Sequence, residues 1–373
     1  MLKKNSLLPF LIWLGLSFAH AKEMSYEKFI RDFDNPVKMF IERAFKTTFP
    51  DLDSVRVAHL EGGFSSAQIY TILHKDKKYV LRILPEKFAI ERRIAEHEGH
   101  KIAASLGVAP KVIYAGPESH IMIMAYIEGR ALTTADMKNP TVLEKVARQL
   151  RKIHNYKLPF PFAKTQKERT IRQKKKADAA YAAYPKAYEK LYNHYMKTHR
   201  DGPGADWVFG HGDLNLTNML MTKAGDIYFI DWPNASMENR FIELGALTFW
   251  AGMDTASTKK FLTHYFGAEP TKEQLKDLSW GQRRAAFYVA TMWLRFVDPG
   301  AYEYTLPSRQ SEMDDRFNSV LRDIHDYHKK GEVVPIANAA KGQRIAELLT
   351  RQRQKRMDYG LSNLQAYRDW PNN

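Results

Sequence analysis

The sequence predicts an α+β fold of two lobes, with a small N-lobe rich in antiparallel strands and a larger, mainly helical C-lobe. Strand-like runs dominate before Thr133, and helical spacing dominates after it. Hydrophobic residues make up 44% of the 373 residues, which is enough for a substantial core. The composition changes after the segment MAYIEGRAL, so we expect an N-lobe over residues 24–128, a C-lobe over 129–340 and a basic helical tail over 341–373.

The N-terminus has the layout of a secretory signal peptide over residues 1–21. Lysines precede an apolar run over residues 7–19 and small residues follow it, so cleavage is expected after Ala21. The run is short for a helix that spans a membrane. If the signal is used, the protein is exported to the periplasm or secreted. If Met24 is the true start, the protein stays in the cytoplasm, and an uncleaved anchor is a third reading.

Charge and cysteine content restrict the classes of function. Lys and Arg number 57 against 42 Asp and Glu, and the resulting charge of +15 suits anionic partners such as phosphates or nucleic acid. No motif typical of nucleic acid binding accompanies the charge, so we expect no nucleic acid partner. The chain has no cysteine, which excludes disulfides, a thiol nucleophile and metal sites with Cys ligands.

The N-lobe is expected to start with helical segments and to continue as an antiparallel meander. Helical spacing over residues 25–45 is broken near Pro36. Strand-like runs over residues 68–73 and 78–84 flank the turn HKDK, and an earlier run precedes them. The segment AIERRIAEHEGHKIAASLG reads as a helix closed by Gly107, and KVIYAG and HIMIMAYI read as two more strands.

The C-lobe is expected to be helical apart from one ribbon. PTVLEKVARQLRKIHN is amphipathic, as a helix packed on a core should be. KTQKERTIRQKKKADAAYAAY carries a basic run that we interpret as a solvated helix face, and the tail of the chain is interpreted in the same way.

The ribbon, NMLMTKAGDIYFID, contains two short strand-like runs joined by the turn KAGD, in which Gly225 is available for positive φ. Pairing centred between Ala224 and Gly225 sets Asn218 opposite Asp231, and cross-strand Cβ atoms lie only about 5 Å apart. The side-chain oxygens of Asn218 and Asp231 would then converge. Hard oxygen ligands of this kind suit Mg²⁺.

Asp213 lies five residues before Asn218, in the loop that leads into the ribbon. A carboxylate in this position could accept a hydroxyl proton. Asn and Asp are also common turn residues, so a surface hairpin with a polar loop is the structural alternative. Three such residues at these spacings, beside His211 and Gly212, favour a functional site.

The motif HGDLNLTN, followed by IDW, resembles the catalytic and metal-binding motifs of the choline/ethanolamine kinase and aminoglycoside phosphotransferase family. That family shares the two-lobed protein-kinase-like fold, and the spacing from Asp to Asn matches the kinase catalytic loop. The resemblance implies that Asp213 is the catalytic base and that Asn218 and Asp231 are Mg²⁺ ligands. It implies that His211 braces the loop.

Two segments of the N-lobe resemble the phosphate-binding parts of the same family. GGFSSAQIY resembles the loop that covers the phosphates, with backbone N–H groups of Gly63, Ser65 and Ser66 near them, although this short motif also reads as a hairpin turn. YVLRIL resembles the strand that carries the phosphate-binding cation, here Arg82. The structural alternative for Arg82 is an exposed charge on an edge strand.

Two further positions follow from the resemblance. Glu96 matches the helix glutamate that pairs with the cation, and Glu91 and Glu98 are nearby competitors. IMIMAYIEG resembles the hinge, where backbone groups around Met124 and Tyr126 would bind adenine.

The resemblance implies an ATP- and Mg²⁺-dependent kinase that transfers the γ-phosphoryl group to a hydroxyl of a small molecule. Choline or a related amino alcohol is the first candidate acceptor, and aminoglycoside or thiamine-type acceptors are alternatives. The residues after IDW are Pro233 and Asn234, where choline kinases usually have Glu-Tyr, and this departure weakens the choline assignment. A non-catalytic, pseudokinase-like binding module is the alternative from another class. An exported kinase would also need a source of ATP.

Aromatic residues are dense in the C-lobe and could form a cage for a quaternary ammonium group through cation–π contacts. These residues are Trp250, Tyr265, Trp280, Tyr288 and Trp293. The alternative is a core role, because Val289, Trp293 and Phe296 have helical spacing.

Overall fold

A computed structural model of the chain describes residues 23–60, 67–118, 120–160, 165–179, 186–200 and 206–294, and positions 360, 363, 364, 367 and 368. The predicted signal peptide, most of the predicted tail, and Gly63, Ser65 and Ser66 lie outside the described residues. The chain divides into two compact units, one of Met1–Asn155 and Asp213–Ala235 and the other of Tyr156–Gly212 and Ser236–Asn373. The lobe boundary expected after residue 128 remains a prediction.

The strands of the described residues, in chain order, are β1 Met24–Ser25, β2 Arg56–His59, β3 Gln68–His74, β4 Lys77–Ile83, β5 Val112–Ala115, β6 Ile121–Ala125, β7 Gly129–Ala131, β8 Trp207–Gly210, β9 Met219–Thr222, β10 Ile227–Phe229 and β11 Ser236–Asn239. The helices are α1 Tyr26–Ile30, α2 Val37–Thr48, α3 Ile90–Ser105, α4 Pro140–His154, α5 Gln166–Ala179, α6 Lys186–Lys197, α7 Arg240–Trp250, α8 Thr255–Phe266 and α9 Lys272–Leu294. No helix in this part of the chain is both long enough and apolar enough to cross a bilayer.

The main sheet of the first unit is antiparallel, with the strand order β1-β2-β3-β4-β6-β5. The predicted meander and its HKDK turn are confirmed. Lys75 and Asp76 form a two-residue loop with φ of 48° and 61°, as a type I′ hairpin requires. Phe29 of α1 and Phe45 of α2 pack in one core cluster with sheet residues such as Ile72, so the first helices cover one face of this sheet.

The predicted helices of the first unit are also confirmed. The segment around Pro36 separates α1 from α2. Helix α3 is followed by Gly107 at φ 68°, a left-handed conformation that glycine adopts without steric cost. Helix α4 begins with an N-cap, because the side chain of Asn139 accepts a hydrogen bond from the backbone N–H of Thr141.

The ribbon forms as predicted, but its predicted register is wrong by one residue. Phe229 pairs with Met219, and the N–H of Ile230 donates to the carbonyl of Asn218 at 2.9 Å, so Asn218 lies opposite Ile230 instead of Asp231. The pairing is centred on Ala224, because Gly225 adopts φ 80° and closes a three-residue loop. Strand β9 also pairs with β7, in a sheet ordered β10-β9-β7.

The second unit is built from β8 paired with β11 and from helices α5 to α9. Gly245 of α7 and Gly281 of α9 lie where the two helices cross, and a Cβ added to Gly281 would overlap the carbonyl oxygen of Phe241. The crossing is therefore close enough that only glycine fits on either helix.

Two predictions for the helical part are partly wrong. Helix α5 exposes Lys175 and Lys176 as expected, yet it also buries polar residues. The tail, interpreted as a solvated face, has at least two buried positions, since Leu364 and Tyr367 pack with Phe287 in one core cluster. Val289 is buried, as the core interpretation of its spacing predicted.

Candidate active site

Arg82 of β4 binds two carboxylates at once. Its Nε donates to Glu96 Oε1 at 2.5 Å, and its Nη2 donates to Asp231 Oδ1 at 2.6 Å. The side chains are 11%, 4% and 29% exposed for Arg82, Glu96 and Asp231, so Arg82 is not an exposed edge charge. The site therefore contains one shielded guanidinium shared between a helix and the end of the ribbon.

Of the three glutamates considered on α3, Glu96 is the one that contacts Arg82. Glu98 pairs with Lys101 at 2.7 Å, and Glu91 is exposed. Burial raises the pKa of Glu96, against the opposing effect of Arg82. Burial acts to lower the pKa of Arg82, but its two carboxylate partners outweigh this and raise the pKa, so Arg82 keeps its charge.

Asp231 has an unusual backbone. Its φ of 65° is uncommon for a residue other than glycine, although Asp and Asn tolerate it better than most residues. It stands two residues after the end of β10, where the chain leaves the ribbon. A residue in this conformation is a candidate for a functional constraint, because sparsely populated conformations tend to cluster at sites.

Asp213 and Asn218 are connected by a short 3₁₀ segment over Leu216–Asn218. The amide Nδ2 of Asn218 donates to the carbonyl oxygen of Asp213 at 2.8 Å. Because a carbonyl accepts only from the nitrogen, this bond fixes the orientation of the amide and leaves Oδ1 as the atom for a metal. Asn218 is 8% exposed and Asp213 is half-buried.

Asn218 and Asp231 supply an amide oxygen and a carboxylate oxygen, which are donor types that Mg²⁺ accepts. Among the described residues no cluster of three or more His, Cys, Asp or Glu could hold a metal. An amide oxygen and a carboxylate oxygen could serve an ion that takes few protein ligands and completes its shell with phosphate and water oxygens, as Mg²⁺ does in kinases.

His211 and Gly212 belong to the second unit, where Glu243 of α7 holds their backbone. Glu243 Oε2 accepts the N–H of His211 at 3.2 Å, and Oε1 accepts the N–H of Gly212 at 2.7 Å. Gly212 has φ 74°, and His211 is fully buried. Sequence reasoning missed this role of Glu243, for which the available signal was a single acid within the apolar helix FIELGAL.

An apolar pocket in the first unit contains the residues of the ion cluster. Its lining consists of Ile69, Val80, Arg82, Glu96, His97, His100, Pro110, Met122, Met124, Ala125, Ile127, Leu220, Ile230, Asp231 and Trp232. A mainly apolar pocket with a few polar groups is a typical ligand site. The structure thus places three of the predicted site residues in the same pocket as the predicted hinge residue Met124.

The predicted hinge is only partly in this pocket. Met124, Ala125 and Ile127 line it, whereas the ring of Tyr126 lies under Lys78 Nζ at 5.5 Å. The backbone N–H groups of Ala125 and Tyr126 donate to the carbonyls of Lys111 and Lys78 within the sheet. Those two donors are therefore already used.

The fold and the site point to a class, that of small-molecule kinases with a protein-kinase-like fold. Residues 56–287 match the phosphotransferase enzyme family, and the chain belongs to that family. The protein LicA homolog of Mycoplasma capricolum is 24% identical over 208 residues, covering 55% of this chain and 79% of the relative. A probable ethanolamine kinase of Arabidopsis thaliana is 22% identical over 250 residues, covering 60% of this chain and 66% of the relative.

The fold is also seen in solved structures. The choline kinase LicA from Streptococcus pneumoniae superposes with a TM-score of 0.56 at 18% identity, over 88% of this chain and 99% of that chain. This likeness confirms the α+β, protein-kinase-like fold that the sequence predicted, and the family match confirms the resemblance to choline/ethanolamine kinases and aminoglycoside phosphotransferases.

Proposed function

We propose that the protein transfers the γ-phosphoryl group of ATP, with Mg²⁺, to a hydroxyl of choline or a related amino alcohol. The observation that carries the proposal is the guanidinium of Arg82 held between Glu96 and Asp231, within the same compact unit as Asp213 and Asn218. These are the residue types that phosphoryl transfer uses to position a nucleotide and a metal.

Each residue has a role in the proposed reaction. Arg82 neutralises phosphate charge, and Asn218 Oδ1 and Asp231 would hold the Mg²⁺, which would supply charge stabilisation at the transferred group. Asp213 orients the acceptor hydroxyl and takes its proton, as a bond forms from the hydroxyl oxygen to phosphorus and the bond to ADP breaks. Glu96 keeps Arg82 in place.

The remaining predicted residues have supporting roles. We assign the loop with Gly63, Ser65 and Ser66 to covering the phosphates. The segment of Met124 and Tyr126 would contact the adenine. His211 braces the loop before Asp213, and its own backbone is held by Glu243.

The choice of an amino alcohol is supported by the relatives named above, two of which are a choline kinase and a probable ethanolamine kinase. The aromatic residues considered for a cage give less support. Tyr265 is 2% exposed, and the ring of Trp280 already lies 4.6 Å from the guanidinium carbon of Arg200. Trp250 and Tyr288 are half-buried, and the side chain of Trp293 lies outside the described residues. Aminoglycoside and thiamine-type acceptors therefore remain alternatives, and the experiment below includes them.

The test is an ATP-consumption screen over choline, ethanolamine, thiamine and aminoglycosides. We expect turnover with an amino alcohol, and we expect Asp213→Asn to lower kcat by about 10²–10⁴-fold with little change in nucleotide affinity, because the base is removed while the nucleotide site is intact. Asp226→Asn, at an exposed acid next to the loop of the same ribbon, is the matched control and should keep full turnover.

Retained turnover in Asp213→Asn would remove this residue from its role. Mg²⁺-dependent nucleotide binding without turnover on any acceptor would instead favour the pseudokinase-like alternative.

A further inference from the structure

Helix α5 of the second unit buries a polar stripe where an amphipathic helix normally buries an apolar one. Gln166, Arg169, Thr170 and Gln173 follow the spacing of one helix face, and each is at most 6% exposed. Buried polar groups are costly unless they are hydrogen-bonded. The stripe therefore needs partners, and neighbouring elements provide them.

These partners come from α6 and β11. The N–H of Gln166 donates to Glu238 Oε2 at 2.5 Å, and the hydroxyl of Tyr195 donates to Gln166 Oε1 at 3.2 Å. The hydroxyls of Thr170 and Tyr195 share a hydrogen bond of 3.1 Å. The interior of this unit thus contains a connected polar network around Tyr195.

Arg284 of α9 adjoins the same network and is 1% exposed. Its Nη1 donates to the carbonyl of Tyr195 at 3.0 Å, and its guanidinium carbon lies 3.6 Å above the ring of Tyr195 and 5.3 Å from that of Trp280. Its Nε and Nη2 have no hydrogen-bond partner among the described residues. These two nitrogens form one edge of the guanidinium, the edge that binds a carboxylate or phosphate with two parallel N–H groups.

Glu238 of β11 is the acidic group that Gln166 brings into this network. Burial raises the pKa of Glu238, and both Arg169 and Arg284 oppose this, so the three groups share one environment. The carboxylate oxygens of Glu238 already accept the N–H groups of Gln166 and Asn239. The aromatic rings offset part of the cost of burying Arg284, but they act on its face and leave its edge without an acceptor in the part of the chain that the structure describes.

We propose that the second unit contains an oxyanion-binding site, in which Nε and Nη2 of Arg284 donate to two oxygens of a carboxylate or a phosphate group on a small molecule. The site rests on residues of α5, α6, α9 and β11. It does not depend on the proposed phosphotransferase reaction, because it uses none of the residues assigned to ATP or Mg²⁺.

The test follows thermal unfolding in increasing inorganic phosphate or acetate, with chloride used to hold ionic strength constant. It uses the full chain carrying Arg82→Gln, so that anions at the proposed ATP site do not contribute. We expect a rise in Tm of about 2–4 °C with at least one of the two anions. A response to phosphate alone identifies a phosphate ligand, and a response to acetate identifies a carboxylate ligand.

Two variants in the same background separate binding from a structural role. Arg284→Met should lose the anion-dependent rise yet keep or exceed the parental Tm without anions, because it removes a buried charge with two nitrogens that lack an acceptor among the described residues. Arg284→Lys keeps the charge but lacks the two parallel N–H donors of the guanidinium edge, so the anion-dependent rise in Tm should be smaller.

Two results would overturn the site. One is a Tm that rises no more in phosphate or acetate than in chloride, and the other is an anion-dependent rise in Tm that is as large in Arg284→Met as in the parent. A lower Tm of Arg284→Met, with no anion effect in the parent, would show that Arg284 is purely structural. None of these results bears on the ATP-consumption screen, so the site and the proposed function can fail separately.

Discussion

At the scale of single residues, Arg82 occupies a position with strict geometric requirements. One planar guanidinium satisfies Glu96 through Nε and Asp231 through Nη2, which a lysine ammonium could not do with the same geometry. Loss of this cation would leave a carboxylate that is 4% exposed without its partner. Removing one member of a buried ion pair destabilises a protein by more than the intact pair stabilises it, because the remaining charge is left buried without its partner.

We therefore expect Arg82→Met to lower the free energy of unfolding by about 3 kcal/mol, measured by urea denaturation. Arg148→Met is the control, since Arg148 forms an exposed pair with Glu144 on α4 and should cost less than about 1 kcal/mol. Equal effects of the two changes would argue against a shielded ion cluster at Arg82.

His97, beside Glu96 on α3, predicts a specific dependence of stability on pH. It is 2% exposed, neither ring nitrogen has a partner among the described residues, and burial lowers its pKa to about 3. Below the ordinary value near 6.5, the unfolded chain binds a proton that the folded protein does not. Stability is therefore lost as the pH falls through this window.

We expect the wild type to lose about 2 kcal/mol more than His97→Leu between pH 7 and pH 5, measured by urea denaturation at each pH. The exposed His59→Leu retains His97 and should follow the wild type. Parallel pH profiles for the wild type and His97→Leu would contradict the buried, neutral imidazole.

The sequence predicted the roles of single residues best where those residues belong to one short motif. The spacing of Asp213 and Asn218 was readable because a five-residue separation is a local property. The sequence alone does not identify the partner of Arg82. Glu91, Glu96 and Glu98 lie on one helix, and only the tertiary packing selects among them. Arg284 gave no signal, and Glu243 gave only that of a single acid in an apolar helix, since the partners of both residues are distant in the chain.

At the scale of elements, the crossing of α7 and α9 is decided by two glycines. A Cβ at Gly281 would meet the backbone of Phe241, and backbone atoms cannot move aside as the end of a flexible side chain can. Alanine is the better helix former by about 1 kcal/mol, but the overlap acts in the opposite direction and forces the helices apart.

We predict that Gly281→Ala lowers the free energy of unfolding by about 3 kcal/mol, read from denaturant melts. Lys276→Ala, on the exposed face of the same helix, should stay within about 0.5 kcal/mol of the wild type. A neutral Gly281→Ala would mean that α7 and α9 can separate without loss of packing.

Strand and helix elements were largely predictable from periodicity and from turn residues, as in the HKDK hairpin. The register of the ribbon was not, because KAGD is compatible with loops of two or three residues. The choice depends on the left-handed conformation of Gly225, and a shift by one residue turns every side chain to the other face. The polar stripe of α5 was missed because its charges resemble those of a solvated face.

At the scale of the whole molecule, the fold class followed from the change in composition along the chain and from the resemblance, and the likeness to the solved choline kinase structure bears it out. The division into compact units could not be read from composition. The first unit includes Asp213–Ala235, a stretch that lies well beyond the rest of that unit in sequence.

Ligand binding should stabilise the whole protein if the proposed function is correct. At a Mg·ATP concentration about 100 times its Kd, we expect the free energy of unfolding to rise by about 2.7 kcal/mol. EDTA should remove most of this rise, and Asp231→Asn should show little of it, because a metal ligand is lost. Calorimetry with and without EDTA measures the effect. If EDTA does not reduce the increase in the free energy of unfolding, the Mg²⁺ site is contradicted.

The discontinuous first unit has a practical consequence for dissecting the enzyme. A fragment that ends at Asn155 would keep Arg82 and Glu96 but would leave behind Asp213, Asn218 and Asp231. No single scission of the polypeptide can therefore release the first unit by itself, because a fragment that reaches Ala235 and keeps the proposed metal ligands also carries Tyr156–Gly212 of the second unit. An autonomous version would require residue 155 to be fused to residue 213 through a short flexible linker.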